Sequence, residues 1–175
     1  MGRPVKRLWH IVFWPLLAVT LAVYLAMALW SLPIIAQDAD GLRAFDMRPF
    51  GYTLPEARAF LSALGDTGLA QYTGAQKQLD AWYPALMATT LVLAYWRLFG
   101  RRAAMAFSVV AILGAVFDYQ ENIAVADLLG LGADRVDEEV VSIAALFTML
   151  KSAAVTVAIL ALVAGLVLAW QRRAS

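Results

Sequence analysis

The chain has 175 residues, 62% of them hydrophobic, and its mean hydropathy is +0.70. Because soluble domains contain about 45–50% apolar residues, this composition favours a membrane protein over a soluble one. The sequence has no basic patch interleaved with aromatic residues, which argues against nucleic acid as a partner, and the absence of cysteine excludes disulfides and thiolate metal sites.

The charged residues are divided between two sides of an alternating apolar pattern. All 13 acidic residues lie in the segments 37–80 and 118–139. Six basic residues lie on that side, which leaves it a net charge of −7. The other eight basic residues lie in stretches without any acid: Arg3, Lys6, Arg7, Arg97, Arg101, Arg102, Arg172 and Arg173. This positive-inside pattern predicts a multi-pass membrane protein with both termini in the cytoplasm.

The first predicted span covers residues 8–32. A basic flank followed by an apolar stretch also resembles a signal peptide. The stretch from 8 to 35 is longer than the roughly 7–15 residues of a signal-peptide core, so we predict a span that is not cleaved.

The segment 37–77 is predicted to lie outside the membrane and to carry a short amphipathic helix. Thr53, Pro55 and Glu56 form a capping-box pattern, apolar residues follow at helical spacing, and Gly65 ends the pattern. The predicted helix has about three turns. Residues 66–74 are expected to form a turn region leading into the second span.

Three further spans are predicted at 79–96, 103–122 and 140–170, with the third continuing toward 129 and a short outer turn at 129–137. Together the four spans predict an all-α integral membrane four-helix bundle in a single domain, with the N- and C-termini inside. Small residues recur at helical spacing in three spans, for example at Ala104, Ser108 and Ala111. Such faces predict helix contacts within the bundle or in a homo- or hetero-oligomer. The alanine-rich composition and short loops favour a bacterial inner membrane.

Four charged residues on three spans are predicted to reach one layer near the outer face. Counting from the basic ends at a rise of 1.5 Å per residue places Asp118 and Asp80 at depths of about 24–25 Å, and Glu121 and Lys151 at about 28 Å. Asn122 shares a helix face with Asp118 and Glu121. Because charges in lipid cost several kcal/mol, we expect these side chains to turn inward and contact one another.

The layer contains more carboxylate than cation, because Lys151 is the only basic residue at that depth. Pro84 has no N–H, so the Asp80 carbonyl is predicted to be a free acceptor. We therefore predict a site for a lipid or small molecule, with no metal and no cofactor. Its residues are Asp80, Tyr83, Asp118, Glu121, Asn122 and Lys151. The alternatives are a purely structural polar network and an enzyme.

The segments FGYTLPEARAFLSALG, QLDAWYP, FDYQEN and FTMLKS resemble a group of small bacterial four-span membrane proteins without an assigned function. The chain is more distantly similar to the EXPERA group of sterol isomerases and sterol-binding proteins. That similarity implies a long first outer loop, a membrane-embedded acidic pocket and, for an isomerase, a carboxyl group as proton donor. Asp80, Asp118 and Glu121 would be the corresponding acids, and the histidine that some members use has no counterpart in this layer.

Overall fold

The structure is a computed structural model that describes the backbone of residues 3–174 and the side chains of residue 9 and residues 11–174. The basic side chains of Arg3, Lys6 and Arg7, on which the predicted topology partly depends, lie outside the described side chains. The described residues form only helices and connecting turns, with no strand. The predicted all-α fold class is therefore confirmed.

Seven α-helices follow one another along the described part of the chain. Their bounds are α1 (Arg3–Ala26), α2 (Leu32–Asp38), α3 (Leu54–Ala63), α4 (Asp66–Gln71), α5 (Lys77–Leu98), α6 (Arg101–Leu131) and α7 (Glu138–Ala174). Two π-helical turns, Met27–Ser31 and Tyr72–Gln76, join α1 to α2 and α4 to α5. A 3-10 turn, Phe45–Met47, lies in the connection between α2 and α3.

Three helical stretches of the described chain are long and apolar enough to cross a membrane. They are Ile11–Asp38, Arg101–Leu131 and Glu138–Ala174, with mean hydropathies of 2.2, 1.5 and 2.5 in their most apolar windows. The fractions of those windows buried inside the protein are only 6%, 33% and 17%. Because most of this apolar surface points outward, its favourable surroundings are lipid rather than water. The prediction of a membrane protein is confirmed at this level.

The predicted span 79–96 corresponds to α5, which is not among these three stretches. The helix has 22 residues, but Tyr83, Pro84 and Arg97 make it less apolar than its neighbours. It nevertheless packs against α1, α6 and α7. Its buried residues include Met87, Leu91 and Tyr95, so the least apolar of the long helices lies against all the others.

The first apolar stretch extends past the predicted boundary at residue 32 through a π-helical turn. The Leu32 N–H donates to the Met27 carbonyl, five residues earlier. Pro33 follows and has no N–H, so a regular helix would lose one hydrogen bond at this point. The turn also buries Ser31, whose hydroxyl accepts a hydrogen bond from Gln71 at 3.0 Å.

The predicted turn region at 66–74 was wrong, because these residues form α4 and the start of the following π-helical turn. The Asp38 carboxylate accepts a hydrogen bond from the Gly68 N–H at 2.6 Å and so caps the N-terminus of α4. A Cβ atom at Gly65 or Gly68 would lie 2.8 Å from Asp38 Oδ2. Because Gly65 and Gly68 have no side chain, the distant Asp38 carboxylate can approach the start of α4.

The predicted amphipathic helix is confirmed as α3. The N–H and hydroxyl of Thr53 donate to Glu56 Oε2 at 2.7 and 2.8 Å, and these hydrogen bonds lower the pKa of Glu56. Ala57 and Phe60 form the buried side of the helix. The Arg58 guanidinium donates to the Val136 carbonyl at 2.9 Å, which fixes α3 over the connection between α6 and α7.

Two apolar clusters lie at opposite ends of the long helices. One lies at the end that the charge pattern predicts to be outside and is named the outer cluster. It contains an aromatic group from the connection between α2 and α5, in which Phe45 contacts Tyr52 and Phe60 at ring-centroid distances of 4.7 and 4.8 Å. The Arg48 guanidinium lies 5.6 Å from the Phe45 ring centroid, a cation–π distance. The inner cluster is built around Tyr95 between α5, α6 and α7.

Replacing Gly165 by alanine is expected to destabilise the inner cluster. An added Cβ would lie 2.8 Å from the Phe99 ring, which already contacts Tyr95 and Phe107 at centroid distances of 6.2 and 5.0 Å. Such overpacking costs about 1–3 kcal/mol. Gly114→Ala is the control, because its Cβ would lie 3.5 Å from the nearest atom, in Ala154. Thermal denaturation in detergent measures both variants, and equal melting temperatures for the two would contradict this packing.

Candidate functional site

The long helices bring the four predicted charged residues together between the two apolar clusters. Asp80 lies on α5, Asp118 and Glu121 on α6, and Lys151 on α7. The three acidic residues are 8%, 5% and 0% exposed, and the Lys151 side chain is 14% exposed. The one-layer arrangement expected from helix counting is therefore present in the structure.

Lys151 lies among three carboxylates. Its Nζ forms an ion pair with Glu121, lies 3.5 Å from Asp118 Oδ1 and lies 3.9 Å from Asp46 Oδ1. Glu121 is completely buried. Removing one partner from a buried ion pair costs more than the pair itself contributes, because an uncompensated charge remains. The three ion pairs join α6, α7 and the outer connection at one point.

Asp46 belongs to this layer, although the sequence analysis did not predict it. It lies on the 3-10 turn beside Phe45, whose buried ring anchors that turn in the outer cluster. The Tyr72 hydroxyl donates a hydrogen bond to Asp46 Oδ2. Burial, and then the charge of Asp46, raise the pKa of Tyr72 well above its usual 10, so the hydroxyl remains protonated. The only sequence signal for Asp46 is its position between the apolar residues Phe45 and Met47.

Asp80 differs from the other carboxylates because no described lysine or arginine nitrogen lies within 4.0 Å of it. Its two oxygens accept hydrogen bonds from Gln76 Nε2 at 3.0 and 3.1 Å. Gln76 is fully buried, and its Oε1 has no hydrogen-bond partner among the described residues. The described layer therefore holds four carboxylates and one lysine, and the carboxylate without a cation is Asp80.

The free acceptor predicted beside Asp80 has a partner in the structure. Pro84 removes the helical donor to the Asp80 carbonyl, and Asn122 Nδ2 on α6 donates to that carbonyl instead, at 3.4 Å. The neighbouring Tyr119 hydroxyl donates to the Ala81 carbonyl at 3.1 Å. Polar contacts of α6 with the α5 backbone thus fix these two helices beside the charged layer.

A groove of about 720 Å³ opens along this contact between the start of α5 and the outer half of α6. This volume is within the range of about 300–1,000 Å³ that is typical of small-molecule sites. Polar and charged side chains form one part of the lining: Asp46, Tyr72, Thr73, Lys77, Asp80, Tyr119, Asn122 and Asp127. Apolar side chains form the rest: Leu69, Ala81, Ile123, Val125, Ala126 and Leu129. The groove therefore combines three carboxylates and one lysine with an apolar wall.

Five of the six predicted site residues fall into two groups. Asp80 and Asn122 line the groove, whereas Asp118 and Glu121 contact Lys151 and none of these three lines it. Tyr83 does not line the groove, and its ring stacks on Tyr24 of α1 at a centroid distance of 6.0 Å. Among the side chains that the structure describes, no group of three or more aspartates and glutamates is arranged to hold a metal ion.

Comparisons with protein-family models, with curated proteins and with solved structures found no match. The resemblances to small four-span proteins and to the EXPERA group therefore stay predictions. Any function for this chain has to be argued from the geometry of the charged layer and the groove.

Lys151→Met is expected to lower the free energy of unfolding by about 3–5 kcal/mol, because Glu121 and Asp118 then lack their cation inside the protein. The double variant Lys151→Met/Glu121→Gln is expected to recover most of this loss, since it removes the nearest unpaired charge together with its partner. Thermal denaturation and size-exclusion profiles in detergent measure both. If the single and double variants lost equal amounts of unfolding free energy, the ion pair between Lys151 and Glu121 would not determine stability.

Proposed function

We propose that the chain is a four-span protein of a bacterial inner membrane, with both termini inside, and that its outer groove binds an amphipathic lipid or small molecule carrying a cationic group. Support for the fourth span comes from α5, whose 22 residues extend about 33 Å at 1.5 Å per residue. This helix packs against all three apolar stretches, so it crosses the membrane with them.

The orientation rests on the charges at the two ends of the helices. Arg97, Arg101 and Arg102 surround the connection between α5 and α6, at the same end as Arg172 and Arg173. The opposite end carries the acidic connections, so the positive-inside rule places the arginines in the cytoplasm. The inner-membrane assignment rests on the alanine-rich composition and the short connections between α5, α6 and α7.

The chemistry of the ligand follows from the charges that line the groove. Asp80 and Asp127 contribute two carboxylates, and Asp46 a third that already contacts Lys151, whereas Lys77 contributes one cation. An ammonium group offsets this excess and donates hydrogen bonds to carboxylate oxygens. The apolar wall favours an aliphatic or alicyclic body beside that group. A neutral lipid would leave the carboxylate excess without a partner.

The observation that carries the proposal is the position of Asp80. Its carboxylate lines the groove without a described cation in contact, while the other two predicted carboxylates of the layer, Asp118 and Glu121, contact Lys151. The fully buried Gln76, which holds Asp80, keeps one carbonyl oxygen without a partner. A protonated amine bound at Asp80 would supply the missing positive charge.

A structural function is favoured for the second group of predicted residues. Lys151, Asp118 and Glu121 are paired with one another and do not line the groove. In the scaffold alternative the whole layer has only this stabilising role, and no ligand distinguishes the variants. Substitutions of Asp80 therefore distinguish the two functions. A scaffold predicts that they change the stability of the protein, and a binding site predicts that they change its affinity for the ligand.

The test uses the purified full chain with two probes of equal length, dodecylamine and dodecanol. We expect dodecylamine to raise the melting temperature more than dodecanol, because only the amine pairs with Asp80. Asp80→Asn is expected to weaken binding of the amine about tenfold or more and to remove the difference between the probes.

Asp134→Asn is the matched control, because Asp134 is exposed, carries the same charge and does not line the groove. This variant is expected to keep the preference for the amine. Equal stabilisation of the wild-type chain by the two probes, or a preference that persists in Asp80→Asn, would reject the proposed site and favour the scaffold.

A further inference from the structure

A second groove, of about 700 Å³, lies at the opposite, acid-free end of the helices. It is formed between α1, α5 and α7. Its wall is apolar and includes Phe13, Leu17, Leu91, Leu162 and Leu166. Three arginines also line it: Arg97 from the end of α5, and Arg172 and Arg173 from the end of α7.

These three arginines have no carboxylate near them in the sequence. No aspartate or glutamate occurs in the segments 1–37, 81–117 or 140–175, which include every helix segment that lines this groove. The ends of α5 and α7 each contribute about half a negative charge from their last carbonyl groups. Three guanidinium charges outweigh these two helix ends, so this end of the groove is positively charged, and no described side chain supplies an anion to it.

We infer that this groove binds one anionic phospholipid, with its phosphate at Arg97, Arg172 and Arg173 and an acyl chain along the apolar wall. Guanidinium groups bind phosphate through paired, charge-assisted hydrogen bonds. Basic pockets between membrane helices commonly bind anionic lipid headgroups. The site does not depend on the amine site proposed at the outer groove, because the two share no lining residue.

A lipid fits the groove better than a soluble anion does. Trp9 and Trp14 line its α1 side, where tryptophan is typical of the level of lipid headgroups. Inorganic phosphate would engage the arginines but leave the apolar wall empty. A zwitterionic lipid would fill the wall, but its own ammonium group would compete with the arginines for the phosphate. An anionic phospholipid satisfies both parts of the groove.

The test measures lipids that remain bound to the purified full chain by native mass spectrometry, using phosphatidylglycerol and phosphatidylcholine with identical acyl chains. We expect the wild-type chain to retain phosphatidylglycerol at least tenfold better. Arg172→Gln/Arg173→Gln is expected to reduce phosphatidylglycerol binding by tenfold or more, because each arginine near a headgroup contributes substantially to the attraction of anionic lipid.

Arg101→Gln/Arg102→Gln is the matched control, because it also removes two adjacent arginines at the same end but outside the lining. This control is expected to bind phosphatidylglycerol like the wild-type chain. Arg97→Gln provides a second variant, on a different helix, and is expected to weaken binding as well.

The inference is overturned if both double variants lose phosphatidylglycerol equally, since that indicates general charge attraction. It is also overturned if Arg97→Gln and the Arg172/Arg173 variant bind like the wild-type chain. Full displacement of the lipid by inorganic phosphate at millimolar concentration would show that the arginines recognise a free anion rather than a lipid.

Discussion

The ion pairs of Lys151 with Glu121, Asp118 and Asp46 are the interaction on which the rest of the structure depends. A lysine and a glutamate buried this deeply are tolerated only together, because each alone would leave an uncompensated charge between two apolar clusters. The pairs fix α6 against α7, and the contact with Asp46 fixes the outer connection above both. Dispersion forces pack the small residues of the helices, but they do not by themselves select one register.

The distribution of charge along the helices determines which charges line the groove at each end of the protein. Lys151 pairs with Asp118 and Glu121 of α6, and Asp80 on α5 lines the outer groove without a described cation in contact. At the other end the sequence has no aspartate or glutamate, and Arg97, Arg172 and Arg173 line an apolar groove in which no described side chain is an anion. In the proposed orientation, this separation of charge leaves a groove lined by carboxylates on the outer side and a groove lined by arginines on the cytoplasmic side.

The long-range charge pattern and the helical rise were enough to predict the fold class and to place Asp80, Asp118, Glu121 and Lys151 in one layer. The capping pattern at Thr53 and Glu56 predicted α3 because its hydrogen bonds are local. The sequence failed where a distant residue decides the local structure: Asp38 caps α4 across thirty residues, and Asp46 reaches Lys151 from a connection without periodicity. The sequence also could not predict which of the site residues line the groove and which contact Lys151. That difference depends on which side of α6 contacts α7.

The most direct test of a carboxylate-rich groove open to the outer face is the labelling of single cysteines in intact cells, in a chain that has no native cysteine. The proposed orientation predicts that Asn122→Cys, in the groove lining, reacts from outside with membrane-impermeant methanethiosulfonates. A trimethylammonium reagent should react faster than a sulfonate reagent, because the neighbouring carboxylates attract the cation. Thr148→Cys, at a position that is 0% exposed, should not react. Equal labelling rates with the two reagents at Asn122→Cys, or no labelling from outside, would contradict a carboxylate-rich groove that opens to the outer face.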